Sequence, residues 1–83
     1  MSEELADLRA LAEYLAQGLS DHADEVEVTA DEEDGDLQLQ VYVAEEDMGR
    51  VIGRAGRTAK ALRQVLHSAA YRQGRRCRLD IEE

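Results

Sequence analysis

The 83-residue sequence has no tryptophan, phenylalanine or proline, only three tyrosines and a single cysteine. A hydrophobic core must therefore be built from Leu, Val, Ile and Ala. Cys77 has no partner for an internal disulfide, no apolar run approaches the roughly 18 residues of a membrane span, and the acidic N-terminus lacks the basic segment of a signal peptide. We therefore expect one small cytoplasmic domain that comprises residues 1–83.

Charge is separated along the chain. Residues 1–48 hold 16 acidic residues and one basic residue, whereas residues 49–78 hold nine basic residues and no acidic one. The net charge of −9, taken alone, argues against nucleic-acid binding. The basic segment nevertheless predicts a local positive surface that attracts an anion, while the rest of the surface repels it.

The first half of the chain predicts a helix followed by a β-hairpin. Leucines and alanines at helical spacing indicate an amphipathic helix over residues 3–19. Apolar and polar residues alternate over residues 25–31 and again over residues 37–43, which is typical of half-buried strands. An acidic turn that contains an Asp-Gly pair joins the two strands.

The second half predicts two helices and a third strand. Acidic residues at 45–47 favour the start of a short helix that ends at Gly53, and an apolar stripe predicts a longer helix from about Gly56 to Gly74. Residues 76–81 alternate as in a strand, which a crossover would place parallel to the second strand. The order α-β-β-α-α-β thus predicts an α+β fold, a three-stranded mixed sheet with three helices on one face.

The chemically informative segment is the Gly-Arg-Ala-Gly turn at residues 53–56. Glycines at both ends permit backbone angles closed to other residues and leave room for a phosphate backbone. Because the turn opens a helix, free N–H groups and the positive end of the helix dipole would face a bound anion. Arg54 lies in the turn, and Arg50, Arg57 and Lys60 flank it.

Residues 51–57 resemble the Val-Ile-Gly-x-x-Gly-[Lys/Arg] signature of the KH domain family, and the element order resembles its bacterial type II fold. The short chain is similar to the KhpA family of small bacterial KH proteins. This resemblance implies an RNA-binding protein, either an RNA chaperone or a post-transcriptional regulator. It also implies a homodimer, or a pair with a second KH protein of the KhpB (Jag, EloR) kind. We expect no cofactor.

The resemblance further implies a groove that holds about four nucleotides of single-stranded RNA. The two helices and their loop would form one wall, and the last strand, residues 75–81, would form the other. Val51 and Ile52 are candidates for its apolar floor, unless they belong to the core. No aromatic residue is available near the loop for base stacking, which predicts weak, salt-sensitive binding with little sequence preference. The expected RNA-binding residues are Arg50, Val51, Ile52, Gly53, Arg54, Ala55, Gly56, Arg57, Lys60, Arg76 and Arg78.

Structural alternatives stand beside these interpretations. The glycine turn would otherwise be an ordinary connector between helices, and its basic residues a solvated helix face. The arginines at 75, 76 and 78 would instead pair with Glu25, Glu27 or the acidic tail. We expect Cys77 to lie in the core.

Other kinds of site do not fit the sequence. The loop lacks the Gly-Lys-Ser/Thr of a Walker phosphate loop, and the acidic turn lacks EF-hand spacing. His22 and His67 stand without metal-ligand spacing, so we expect no metal site, and no nucleophile–base pair indicates an enzyme. The alternative function is a protein-interaction subunit that uses the KH fold to dimerise or to recruit a partner, with residues 69–71 as one docking surface.

Overall fold

The computed structural model describes residues 3–83 and confirms the predicted order α-β-β-α-α-β. The regular elements are α1 (Glu3–Leu19), β1 (Glu27–Glu33), β2 (Asp36–Tyr42), α2 (Met48–Ile52), α3 (Arg57–Arg72) and β3 (Cys77–Glu82). Single 3₁₀ turns lie at three junctions, and they are Ala23–Glu25, Glu45–Asp47 and Arg54–Gly56.

Strand β2 is the centre of the three-stranded mixed sheet. It pairs antiparallel with β1 and parallel with β3, as the hairpin and the crossover predicted. Leu39 of β2 lies opposite Ala30 on one side and Leu79 on the other. Apolar side chains therefore form rows on one face of the sheet, and the helices cover that face. This is the expected α+β architecture of a type II KH fold.

The core is aliphatic, because the chain supplies no large aromatic side chain except tyrosine. Burying one Leu or Val side chain stabilises the fold by roughly 1.5–3 kcal/mol. Ala12, Ala16 and Ala70 are also fully buried, so α1 and α3 can pack closely. Within residues 3–83, no helix is long and apolar enough to span a membrane. The largest fully buried apolar side chains are Leu8, Leu37, Leu39, Val41, Val51 and Leu66.

The hairpin is tighter than its sequence pattern predicts. Strand β1 begins two residues later than expected, because Ala23–Glu25 forms a 3₁₀ turn, and it extends two residues further, to Glu33. Only Asp34 and Gly35 form the turn, both with positive φ, and Glu33 pairs directly with Asp36. A two-residue turn of this kind matches the twist of the strands, so the neighbouring acidic residues extend the ladder instead of widening the turn.

One buried carboxylate connects the α1–β1 junction to the start of α2. The side chain of Asp47 is only 2% exposed. It accepts hydrogen bonds from the backbone N–H groups of Asp21, at 3.2 Å, and His22, at 2.9 Å. The His22 Nδ1 lies 3.2 Å from the same carboxylate, which is an acceptor when ionised. The contact joins residues 25 positions apart, so local sequence patterns do not reveal it.

These contacts set the charge of both groups. Burial by itself would raise the pKa of Asp47, but the hydrogen bonds from His22 and Asp21, together with the charge of His22, hold that pKa below its ordinary value. The hydrogen bond to Asp47, and then its negative charge, raise the pKa of His22. Asp47 is therefore an ionised acceptor at neutral pH, although its side chain is buried.

We expect Asp47→Ala to destabilise the fold more than the loss of an exposed acid does. The substitution leaves two partly buried backbone N–H groups without their acceptor, and we expect the thermal midpoint to fall by roughly 5 °C or more. Calorimetry of the variant beside Asp31→Ala, an exposed position in β1, measures the difference. Equal midpoints for the two variants would contradict the role given to Asp47.

Candidate nucleic-acid interface

The turn between α2 and α3 is exposed and interrupts the helices, as its glycine spacing predicted. Helix α2 stops at Gly53, whose φ of 80° and ψ of 169° lie in a region that is essentially restricted to glycine. The 3₁₀ turn Arg54–Gly56 follows, with Ala55 at φ 56° and Gly56 at φ 74°. The side chains of Arg54 and Ala55 are exposed, so a ligand has open access to the turn.

The two glycines of the turn have different structural roles. A Cβ atom at Gly53 would lie 2.2 Å from the Oγ1 of Thr58, 2.7 Å from its Cβ and 2.8 Å from its backbone nitrogen. A Cβ atom at Gly56 would meet nothing within 4 Å. Gly53 is therefore required by both its backbone angles and the close approach of α3, whereas Gly56 is required by its backbone angle alone.

Helix α3 begins directly behind this turn. Gly56 occupies its N-cap position, and no side chain there accepts a hydrogen bond from the first turn of the helix. The N–H of Arg57 donates to the carbonyl of Arg54. The next N–H groups of the first turn have no partner within an α-helix and carry the positive end of its dipole. An anion beside the turn would find donors already in place.

Basic side chains surround the same helix end. Arg54, Arg57 and Lys60 are exposed, and among the ion pairs of residues 3–83 none involves these three. Arg50 differs, because its Nη1 lies 2.6 Å from the Oδ1 of Asp21. The positive charge available to a ligand is therefore concentrated at the turn and along the start of α3.

A groove of about 750 Å³ separates α3 from β3. The sequence pattern predicted Lys60 and Arg78 as residues of such a groove, but not Arg63, Gln64 and His67. Their signal was available, because these positions follow Lys60 at helical spacing and share one face of α3. The residues that line the groove are Lys60, Arg63, Gln64, Leu66, His67, Ser68, Cys77, Arg78, Leu79 and Asp80.

The strand wall of the groove is the edge of the sheet. Among residues 3–83, strand β3 pairs only with β2, so backbone N–H and C=O groups remain along its other side. Arg63 reaches this edge from α3, and its Nε donates to the carbonyl of Leu79 at 3.0 Å. Cys77 is partly buried in the same wall, and burial raises the pKa of its thiol. It therefore behaves as a small, weakly polar side chain and not as a thiolate.

The two apolar candidates beside the turn have different positions. Val51 has none of its side chain exposed and belongs to the core, where it anchors α2. Ile52 is half-buried. Of the two residues considered for an apolar floor, only Ile52 is accessible to a ligand in this structure.

The three arginines near the start of β3 also differ from one another. Arg75 lies 2.8 Å from Glu32 and is docked on the hairpin. Arg76 lies 3.4 Å from Asp36 while its side chain remains 82% exposed, so this pair is weak. Neither acid is one that the sequence suggested as a partner. Arg78 is exposed and lines the groove.

Known proteins match this chain over nearly its whole length. A family model described as KhpA/KhpB, KH domain, matches residues 9–81. The RNA-binding protein KhpA of Halalkalibacterium halodurans is 47% identical over 74 residues, which cover 89% of this chain and 97% of that protein. The protein of the same name from Leifsonia xyli is 47% identical over 68 residues, which cover 82% of this chain and 87% of that protein. The protein of the same name from Treponema pallidum is 44% identical over 71 residues, which cover 86% of this chain and 89% of that protein.

We expect alanine to be tolerated very differently at the two ends of the turn. Gly56→Ala should cost about 1–2 kcal/mol of unfolding free energy, the strain of a left-handed residue. Gly53→Ala should cost roughly 2–6 kcal/mol, because backbone strain adds to overpacking against Thr58. Urea unfolding followed by circular dichroism measures both values. Equal losses at the two positions would show that the contact with Thr58 is unimportant.

Proposed function

Because the chain belongs to the KhpA/KhpB family of KH domains, we propose that residues 1–83 act as one KH domain that binds single-stranded RNA. The observation that carries this proposal is the continuity of three features: an exposed glycine turn, the basic start of α3 behind it, and the groove between α3 and β3. The relatives are named RNA-binding proteins, which supports the same class of ligand.

Different parts of this surface would contact the phosphates and the bases of the RNA. A phosphate at residues 53–56 would meet helix N–H groups together with Arg54 and Arg57. The following nucleotides would run along the groove, where Gln64 and His67 offer hydrogen-bonding groups on one wall and the backbone of β3 offers them on the other. Unpaired bases can use such groups, whereas the bases of a duplex are already paired. We therefore expect the groove to prefer single-stranded RNA over a duplex.

The composition of the groove predicts how RNA is held. None of the lining residues is Phe, Tyr or Trp, so base stacking is limited to the His67 ring and the guanidinium planes of Arg63 and Arg78. Binding then depends mainly on phosphate contacts, with the half-buried Ile52 as the accessible apolar side chain beside the turn, and we expect weak affinity, strong salt dependence and little base preference. The acidic remainder of the surface repels RNA elsewhere, which confines contact to the groove.

The biological role that fits these properties is an RNA chaperone or post-transcriptional regulator in the cytoplasm. A binder of this kind acts on many RNAs by occupying short unpaired segments. We propose that the protein acts by binding alone, without catalysis and without a cofactor. This rests on the class of its named relatives, which are RNA-binding proteins.

Reversing the charge of Arg54 and Arg57 together should weaken RNA binding at least tenfold. Both side chains are exposed, so the change to Glu should leave the fold intact. Loss of two phosphate contacts should also lower the slope of log K against log salt by about 1.4. Fluorescence anisotropy with a short single-stranded RNA oligonucleotide, repeated at several salt concentrations, measures both quantities.

The matched control for this experiment is Arg72→Glu. Arg72 is also an exposed arginine of α3, but it lies about 22 Å along the helix from Arg57. We expect this variant to lose far less affinity. If it lowers the binding free energy by half as much as the double change does, in proportion to its smaller change in charge, the effect reflects net charge and the binding site is not at the turn.

A second candidate function, self-association, is favoured by one observation. On the side of α3 away from the RNA groove, α1 and α3 enclose an exposed apolar groove of about 600 Å³. Val65 is 46% exposed there and Tyr14 is 74% exposed. We propose that a second KH domain covers this surface, either another copy or a related KH protein of the KhpB (Jag, EloR) kind. Two linked RNA grooves would offset weak single-site affinity.

The docking surface suggested by sequence, residues 69–71, is less suitable. Ala70 has no exposed surface and belongs to the core. Ala69 is half-buried, so only Tyr71, at 75% exposed, projects from this end of α3. A single exposed tyrosine is a small contact compared with the α1–α3 groove.

If the protein self-associates through the α1–α3 groove, Val65→Arg should shift it towards the monomer. A buried, unpaired charge at the centre of an interface is strongly unfavourable. Tyr71→Arg, which introduces the same charge elsewhere on α3, should have little effect. Sedimentation velocity over a range of protein concentrations measures the association, and dissociation by Tyr71→Arg alone would place the interface at the end of the helix instead.

A further inference from the structure

Three potential metal ligands from two parts of the chain converge beside the α1–β1 junction. A ring nitrogen of His22 and a carboxylate oxygen from each of Glu25 and Glu46 lie within 4.8 Å of one another. Glu25 ends one 3₁₀ turn and Glu46 lies in another. Of the two glutamates, the sequence shows only Glu25 near His22, because Glu46 lies in the second half of the chain.

The histidine of this group is oriented by a buried carboxylate outside it. Asp47 is 2% exposed and lies 3.2 Å from the Nδ1 of His22. An ionised carboxylate only accepts hydrogen bonds, so Nδ1 carries a proton, and in the neutral ring Nε2 has the lone pair that a metal ion needs. A carboxylate that holds one ring nitrogen in this way is the usual outer partner of a metal-bound histidine. The His22 side chain is 44% exposed, so its ring remains accessible.

The types of ligand atom in this group indicate which metal ion would bind. One imidazole and two carboxylates suit a first-row transition metal such as Zn²⁺, whereas Mg²⁺ and Ca²⁺ prefer oxygen ligands alone. Bonds of about 2.0–2.2 Å around zinc require donor atoms about 3.3–3.5 Å apart. Both glutamates are exposed, so small rotations of their side chains can close the remaining distance.

We propose that His22, Glu25 and Glu46 form a binding site for a divalent transition-metal ion, with solvent completing its coordination. The site is separate from the RNA groove and does not depend on the proposed function. A bound ion cross-links the α1–β1 junction to the β2–α2 junction, and therefore stabilises the segment from which α2 and the glycine turn emerge.

Isothermal titration of the chelator-treated full chain with ZnCl₂ tests this site. We expect one ion per chain, weaker binding of Mg²⁺, and a thermal midpoint that rises with zinc and falls back with EDTA. His22→Gln should lower zinc affinity at least tenfold. Glu25→Gln and Glu46→Gln should each weaken it in the same direction, and both replace exposed side chains, so these variants remain informative if His22→Gln fails to fold.

Matched controls separate this site from other zinc-binding groups. Glu45→Gln removes a neighbouring acid outside the group, and His67→Gln and Cys77→Ser remove the remaining histidine and the thiol. We expect all three to bind zinc as the unmodified chain does. Zinc affinity that survives the changes at His22, Glu25 and Glu46, or that is lost in His67→Gln or Cys77→Ser, would overturn the proposal.

Discussion

The position of the glycine turn depends on the buried carboxylate of Asp47. Helix α2 has only five residues, too few to be stable by itself, so tertiary contacts must hold it. Asp47 fixes its start to the backbone of Asp21 and His22, and Val51 fixes its centre in the core. The turn that follows is therefore supported at its base, and it can remain exposed without losing its conformation.

The sequence predicted the architecture well, because the chain is locally consistent. Each helix has an apolar stripe, each strand alternates, and Gly53 and Gly74 lie where helices end. The strand boundaries were less accurate, since the Asp34–Gly35 turn is shorter than the acidic run that surrounds it. Contacts that depend on how the elements pack in three dimensions were not predictable from these patterns. Neither the burial of Asp47 nor the approach of Thr58 to Gly53 leaves a periodic signal.

The candidate site was predicted only in part, because sequence patterns reveal neighbouring residues but not the packing of separate elements. The turn and its basic neighbours are contiguous in sequence, so the motif identified them together. The far end of the groove is built from α3 and β3, and Gln64 and His67 become part of it only because β3 lies beside that face of the helix. Val51 was predicted as a candidate for the groove floor but lies in the core. An apolar residue next to a binding motif has the same sequence pattern whether it faces a ligand or the core.

In the part of the chain that the structure describes, strand β1 leaves the opposite edge of the sheet unpaired. Four of its seven residues are acidic: Glu27, Asp31, Glu32 and Glu33. An open edge invites strand addition by another molecule. Here, addition of a second copy would bring like charges into opposition, which is unfavourable. The hairpin is thereby protected against intermolecular sheet growth and amyloid-type stacking, a protection that weakens as added salt shortens the range of the repulsion.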